Sequence, residues 1–137
     1  MQPLKPMLAS VVDSSKLSVL LKDEKLLLEP KYDGERMMIH KNGDKLMYWT
    51  RNAKNYTAQY GPKFDPVILK NISPSVNNCI LDGEFLLYDG SAKQFKEFGS
   101  NRTFATSGVY FTQVDNVKLW FCYMVFDLLF LNGESLI

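Results

Sequence analysis

The chain has 137 residues, 46% of them hydrophobic and 13% aromatic, which is enough for one packed domain and excludes a disordered chain. Sixteen Lys and Arg stand against fifteen Asp and Glu, a formal net charge of +1, so no bulk basic field is available to hold nucleic acid and any such contact must be local or shared with parts of a longer protein. Cys79 and Cys122 lie inside apolar runs, no signal-peptide pattern follows Met1, and the longest mainly apolar stretch, residues 119–131, is broken by Asp127 and too short for a bilayer; a soluble intracellular chain with buried, reduced thiols is expected.

Two prolines in residues 3–9 predict an extended lead-in. Asp13, Ser14 and Ser15 offer N-caps for a short helix to about Lys22, with Leu17, Leu20 and Leu21 on one face. Lys25 to Lys31 reads as a strand in which Glu29 and Lys31, two apart, share a face. Residues 36–41 and 44–50 alternate around Asn42-Gly43, the pair favoured in a type I′ turn, and so predict a hairpin. His40, the single histidine, shares a face with Arg36 and Met38; nothing nearby completes a metal site, and a structural or solvated role is expected. Residues 55–62 read as a polar, aromatic loop ended by Gly61-Pro62, followed by a short helix over residues 65–70 and a turn over residues 71–78. Cys79 to Tyr88 is an apolar strand interrupted by Asp82-Gly83-Glu84, where either the acids have a buried partner or a bulge at Gly83 turns them to solvent. Asp89-Gly90-Ser91 is a turn, residues 105–113 support no assignment, and Leu119 to Leu131 reads as a central strand before the Asn132-Gly133 turn. With strands dominant and short helices inserted irregularly, the expected class is α+β on antiparallel sheets, in one structural unit.

The stretch Glu29-Pro30-Lys31-Tyr32-Asp33-Gly34-Glu35-Arg36 concentrates chemistry. A lysine attacks phosphorus or carbonyl carbon when neutral, a state favoured by nearby cations or desolvation. Gly34 allows close approach of a ligand, and Arg36 offers a planar fork for phosphate. Taken alone, such a run is more often an exposed hairpin flank than a site.

Three separated runs change that reading: Lys31-Tyr32-Asp33-Gly34-Glu35-Arg36, Leu81-Asp82-Gly83-Glu84 and Val125-Phe126-Asp127-Leu128-Leu129. In that order they resemble motifs I, III and IIIa of the covalent nucleotidyltransferases, which include ATP-dependent DNA ligases, RNA ligases and capping guanylyltransferases. Pro6-Met7-Leu8-Ala9, Glu29 two residues before the lysine, and the run Arg51-Asn52 with Asn55-Tyr56-Thr57 and Gln59-Tyr60-Gly61 are similar to the DNA ligases, and within them to the ligase IV type that joins broken ends.

The resemblance implies an antiparallel-sheet adenylation fold, ATP and Mg2+ as cofactors, broken or nicked duplex DNA as partner, no membrane, and a nuclear location. It implies that Lys31 attacks the α-phosphate of ATP, releasing pyrophosphate and forming a lysyl-AMP intermediate that is passed to a DNA 5′-phosphate. Glu29 would read the adenine amino edge, Arg36 would hold ribose or phosphate, and Arg51 would hold the phosphate side of the site. Glu84 would meet ribose or Mg2+, and Phe126 would stack on adenine, where core packing is the plainer alternative; Pro30 and Tyr32 would touch nucleotide through their backbone. Nothing in residues 1–137 matches motifs IV or V or the OB domain, so the resemblance covers the first part of an adenylation domain, and scaffold partners would bind regions outside it. Ala53 replaces the glycine common after Arg-Asn. Phe98 stands where a lysine is common, with Lys96 or Arg102 as candidates to supply that charge. An RNA ligase, a GTP-using capping enzyme and a non-catalytic nucleotide- or DNA-binding module are the competing readings.

Overall fold

A computed structural model describes residues 3–22, 25, 27–96, 111–114 and 117–137. The elements in chain order are α1 (Ser14–Leu20), β1 (Glu35–Asn42), β2 (Lys45–Thr50), α2 (Thr57–Asn71), β3 (Asn78–Asp89), β4 (Gln94–Phe95), β5 (Phe111–Val114), β6 (Val117–Leu131) and β7 (Glu134–Ser135). The seven strands form one sheet of order β2-β1-β3-β6-β5, with β4 on β3 and β7 on β6, and every pairing is antiparallel. This is the α+β, antiparallel architecture expected from the sequence.

The β1–β2 hairpin forms because Gly43 adopts φ 57°, the left-handed conformation its tight turn needs. Alternation then sends Met37 and Ile39 of β1 to one face, where they join Leu46, Tyr48, Phe85 and the α2 residues Tyr60, Phe64 and Ile68 in the core. Arg36, Met38 and His40 point to the other face. His40 is buried, so its expected role is structural, yet its Nε2 has no hydrogen-bond partner among the described residues.

Two expectations fail. Residues 57–71 are one helix, where a loop and a shorter helix were read. Gly61, Pro62 and Pro66 argue locally against helix, and each proline removes a backbone donor. Tyr60, Phe64 and Ile68 at i, i+4 and i+8 outweigh them by burying one stripe on the sheet, and Tyr56 N–H to Tyr48 O at 2.8 Å pins the helix start to β2. Residues 25 and 27–31 form no strand. Both edges of β1 are taken by β2 and β3, Pro30 has no N–H to donate, and Leu27 and Leu28 stay exposed. Glu29 and Lys31 therefore do not owe their relation to a shared strand face.

Residues 3–13 carry no helix or strand, and α1 is capped by the Asp13 carboxylate, which accepts from Ser15 N–H at 2.9 Å. Both cysteines are free, Cys79 buried and Cys122 partly so. Among the described residues no helix is long and apolar enough to cross a membrane. Phe98 and Arg102 lie outside the described residues, as does most of the unassigned 105–113 stretch, whose end forms β5.

Candidate active site

Lys31 stands on the irregular segment entering β1, its side chain exposed and its Nζ 3.7 Å from Asp33. Three residues on, the chain passes β3 so closely that a Cβ on Gly34 would lie 2.2 Å from the Phe85 carbonyl oxygen and 2.6 Å from Leu86 Cδ2. Only glycine permits that crossing. The same approach lets Gly34 N–H donate to Glu84 Oε1 at 3.1 Å, so the acid of β3 anchors the lysine-bearing segment.

Arg36 lies directly opposite Glu84 in the β1–β3 register and one same-face position from Asp82. Its Nε donates to Asp82 Oδ1 at 3.0 Å and its Nη2 to Asp82 Oδ2, a two-pronged pair around a carboxylate that is only 2% exposed. That hydrogen-bonded pairing raises the guanidinium further above its usual range. The acids of β3 are therefore not turned to solvent: Asp82 is buried against Arg36, and Glu84 is half-buried. Burial pushes the Glu84 carboxyl up, against the opposing pull of the Gly34 amide and of Arg36.

The extra residues lie on the neighbouring strand, at two places, one of them Leu129, which is skipped between Phe130 and Leu128. At the other, Asp82 pairs with Asp127 and Gly83 with Val125, which leaves Phe126 of β6 as the extra residue. A bulge re-aims the side chain it carries. Phe126, 37% exposed, lies with its ring centroid 5.4 Å from the Arg36 guanidinium carbon, a cation–π contact. Gly83 makes the close β3–β6 contact possible, since a Cβ there would be 2.6 Å from Met124 O and 2.7 Å from the Tyr123 ring.

Two adjoining cavities open around these groups, and Lys31, Tyr32, Arg36 and Glu84 line both. One, of about 490 Å³, is completed by Glu29, Pro30, Val125 and Phe126. The other, of about 500 Å³, runs towards the β2–α2 connection and is bordered by Glu35, Thr50, Arg51, Lys54 and Tyr56. Each is within the range of small-molecule sites. The first offers an aromatic face beside a carboxylate and an arginine, the second several cations. Beneath the second, α2 is tied to the sheet by two hydroxyl–carboxylate bonds: Tyr60 donates to Glu35 at 2.7 Å and Tyr48 to Asp65 at 2.8 Å. Burial, reinforced by these carboxylates, pushes both tyrosines well above the usual phenol range.

The fold thus brings Glu29, Pro30, Lys31, Tyr32, Arg36, Arg51, Glu84 and Phe126 to one pair of cavities, although Glu29 and Lys31 reach it from an irregular segment. Sequence reasoning passed over Asp82 as the partner of Arg36, although a buried acid in an apolar strand was the signal for it. It also missed Glu35 and Tyr60, 25 residues apart with nothing local to pair them.

Residues 6–137 match the family model described as ATP dependent DNA ligase domain. DNA ligase 4 of Dictyostelium discoideum is 34% identical over 97% of this chain and 13% of its own length. DNA ligase 1 of the same organism is 37% identical over 98% of this chain and 11% of its own length, so the chain spans a small part of these relatives. A solved structure, mycobacterial DNA ligase D complexed with ATP and MES, shares the fold with a TM-score of 0.54 and 20% identity over 78% of this chain and 30% of that one. With the family match running over nearly its whole length, the chain belongs to the ATP-dependent DNA ligase domain family.

Proposed function

We propose that the chain is the first part of the adenylation domain of an ATP-dependent DNA ligase of the end-joining ligase IV type, and that its cavities take up ATP. The observation that carries this reading is the convergence of Lys31, Arg36, Glu84 and Phe126, from three separate segments, on two adjoining cavities. In this reading Phe126 and Glu29 receive the adenine, its amino edge towards the carboxylate, while Arg36, held rigid by Asp82, meets the ribose or a phosphate. Arg51 faces the phosphates. Lys31, having lost a proton, forms the Nζ–P bond as the Pα–O bond to pyrophosphate breaks, and AMP stays on the lysine for transfer to a DNA 5′-phosphate.

Among the described residues no three His, Cys, Asp or Glu side chains gather as a metal cage. Glu84 still fits Mg2+, which is commonly held by one or two carboxylates together with substrate phosphates. When bound, the ion neutralises charge developing on those phosphates. The DNA partner and a nuclear location follow from the same ligase reading.

The test is adenylylation. In the longer ligase carrying this segment, α-labelled ATP and Mg2+ should leave label on the protein that survives alkali and is released by acid, as a phosphoramidate is, and Lys31→Ala should abolish it. Equal labelling of Lys31→Ala would sink the assignment. The 137-residue chain alone should label weakly, because no motif V lysines are among its residues.

A further inference from the structure

Tyr60 and Glu35 take no part in the steps above, yet Tyr60 holds a residue that borders the cationic cavity. Glu35 opens β1 and borders the same cavity as Lys31, Arg51 and Lys54. A carboxylate in that position opposes any phosphate that enters and competes with it for the same cations. Its reach is limited by one contact, the Tyr60 hydroxyl donating to Glu35 Oε2 at 2.7 Å. Tyr60 is itself 4% exposed, and its ring is wedged against Phe64 and Phe85 at centroid distances of 5.4 and 5.3 Å. Its hydroxyl therefore cannot follow the carboxylate if that group swings towards the cations.

We infer that Tyr60 is a positioning residue for phosphate binding: by holding the Glu35 carboxylate on the α2 side, it leaves Arg51 and Lys54 open to the polyphosphate of the nucleotide. The inference rests on the ATP-binding reading above. Burial of Tyr60 and its bond to Glu35 both keep the phenol protonated, as a donor must be. Loss of the hydroxyl frees a negative charge into the cavity. Loss of the charge as well makes the hydroxyl dispensable.

The experiment titrates the longer ligase carrying this segment with ATP, inorganic pyrophosphate and adenosine, using wild type, Tyr60→Phe, Glu35→Gln and the double variant, with circular dichroism confirming the fold of each. Tyr60→Phe should weaken ATP and pyrophosphate binding about fivefold at low salt, the size of one surface charge interaction, and less at high salt. Adenosine binding should not change. The double variant should return to within about twofold of wild type, a rescue that a merely structural role of Tyr60 cannot produce. Glu35→Gln alone should change ATP affinity less than about twofold, because the carboxylate it removes is already held aside. Should Tyr60→Phe not fold, this single variant decides the matter: tightening of fivefold or more would overturn the inference. Tyr60→Phe binding ATP as wild type does, or failure of the rescue, would overturn the positioning role while leaving the ATP-binding reading intact. Pyrophosphate binding with the full pattern of variants but no ATP binding would uphold the phosphate role and sink the ATP reading. A wild-type ligase that binds neither would refute both.

Discussion

Breaking the Arg36–Asp82 pair should destabilise the sheet unequally according to which partner is removed. Asp82 is 2% exposed, whereas the Arg36 side chain keeps 31% of its surface in water. Arg36→Ala strands a carboxylate that water cannot reach, and removal of one partner of a buried pair costs roughly 3–5 kcal/mol. Asp82→Asn leaves an amide of the same shape that can still accept from Arg36, and the guanidinium can solvate further, so the cost should be about 2 kcal/mol. With a urea m-value of about 2 kcal/mol/M for a chain of this size, the unfolding midpoint should fall by roughly 2 M in Arg36→Ala and roughly 1 M in Asp82→Asn. The double variant Arg36→Met/Asp82→Leu, which removes both charges and keeps apolar volume, should lie near wild type in stability while losing whatever nucleotide affinity depends on Arg36. Urea unfolding followed by tryptophan fluorescence, with circular dichroism as a second probe, measures all three. If Arg36→Ala is no worse than Asp82→Asn, or the double variant is worse than either single one, the account of Asp82 as a buried acid held by one cation is wrong.

Gly83→Ala should cost about 3 kcal/mol or more, because the new methyl meets the Met124 carbonyl oxygen at 2.6 Å and that oxygen cannot move without disturbing the ladder; a melting temperature within a few degrees of wild type would contradict this. Ala53 holds φ 57° while its N–H reaches Thr50 O at 2.8 Å. Ala53→Gly should therefore stabilise by about 0.5 kcal/mol, relief of roughly 1–2 less roughly 0.4–1 for the freer unfolded chain, read as a higher urea midpoint. Burial pushes the His40 imidazole below its usual value, so the unfolded chain takes up the proton more readily. The stability His40 contributes is whole above pH about 6.5 and is lost as the pH falls from there through the lowered folded value; His40→Met should flatten that part of the curve, and an unchanged slope would refute it. Phe126→Ala should weaken ATP binding about tenfold by calorimetric titration, through lost stacking and burial together, and equal affinity would remove the ring from the nucleotide site.

The hairpin of β1 and β2 was legible because Gly43 marks its turn locally, although the two turn residues are Gly43 and Asp44 and Asn42 stays paired with Lys45; β3 and β6 were legible because long apolar runs leave few other structures open to them. Helix α2 was not, since Gly61, Pro62 and Pro66 speak against helix within the sequence while the sheet surface that favours it is supplied from elsewhere. The strand expected over residues 25–31 erred the other way: local character was adequate, but both edges of β1, the strand it leads into, are taken by β2 and β3. Lys31, Arg36, Glu84 and Phe126 could be singled out by the order of three motifs, whereas their relation could not. That Phe126 is the extra residue opposite Asp82 and Gly83 is a property of two strands in register, and no window along one strand contains it. The Tyr60–Glu35 and Arg36–Asp82 bonds are of the same kind, joining residues 25 and 46 positions apart.

The irregularity in β6 also bears on which changes of length this chain can tolerate. Val125 and Asp127 face consecutive residues of β3, so excising Phe126 alone would close this register shift and keep every later side chain on its present face, with the second shift, at Leu129, unchanged. Such a deletion would be expected to leave the sheet at least as well paired and to leave Arg36 without its ring. An insertion or deletion at a paired position of β6 has no such escape, because it sends the remainder of the strand to the wrong face. Recognition and regularity are in conflict at a single residue, and variants selected only for stability should find that residue first.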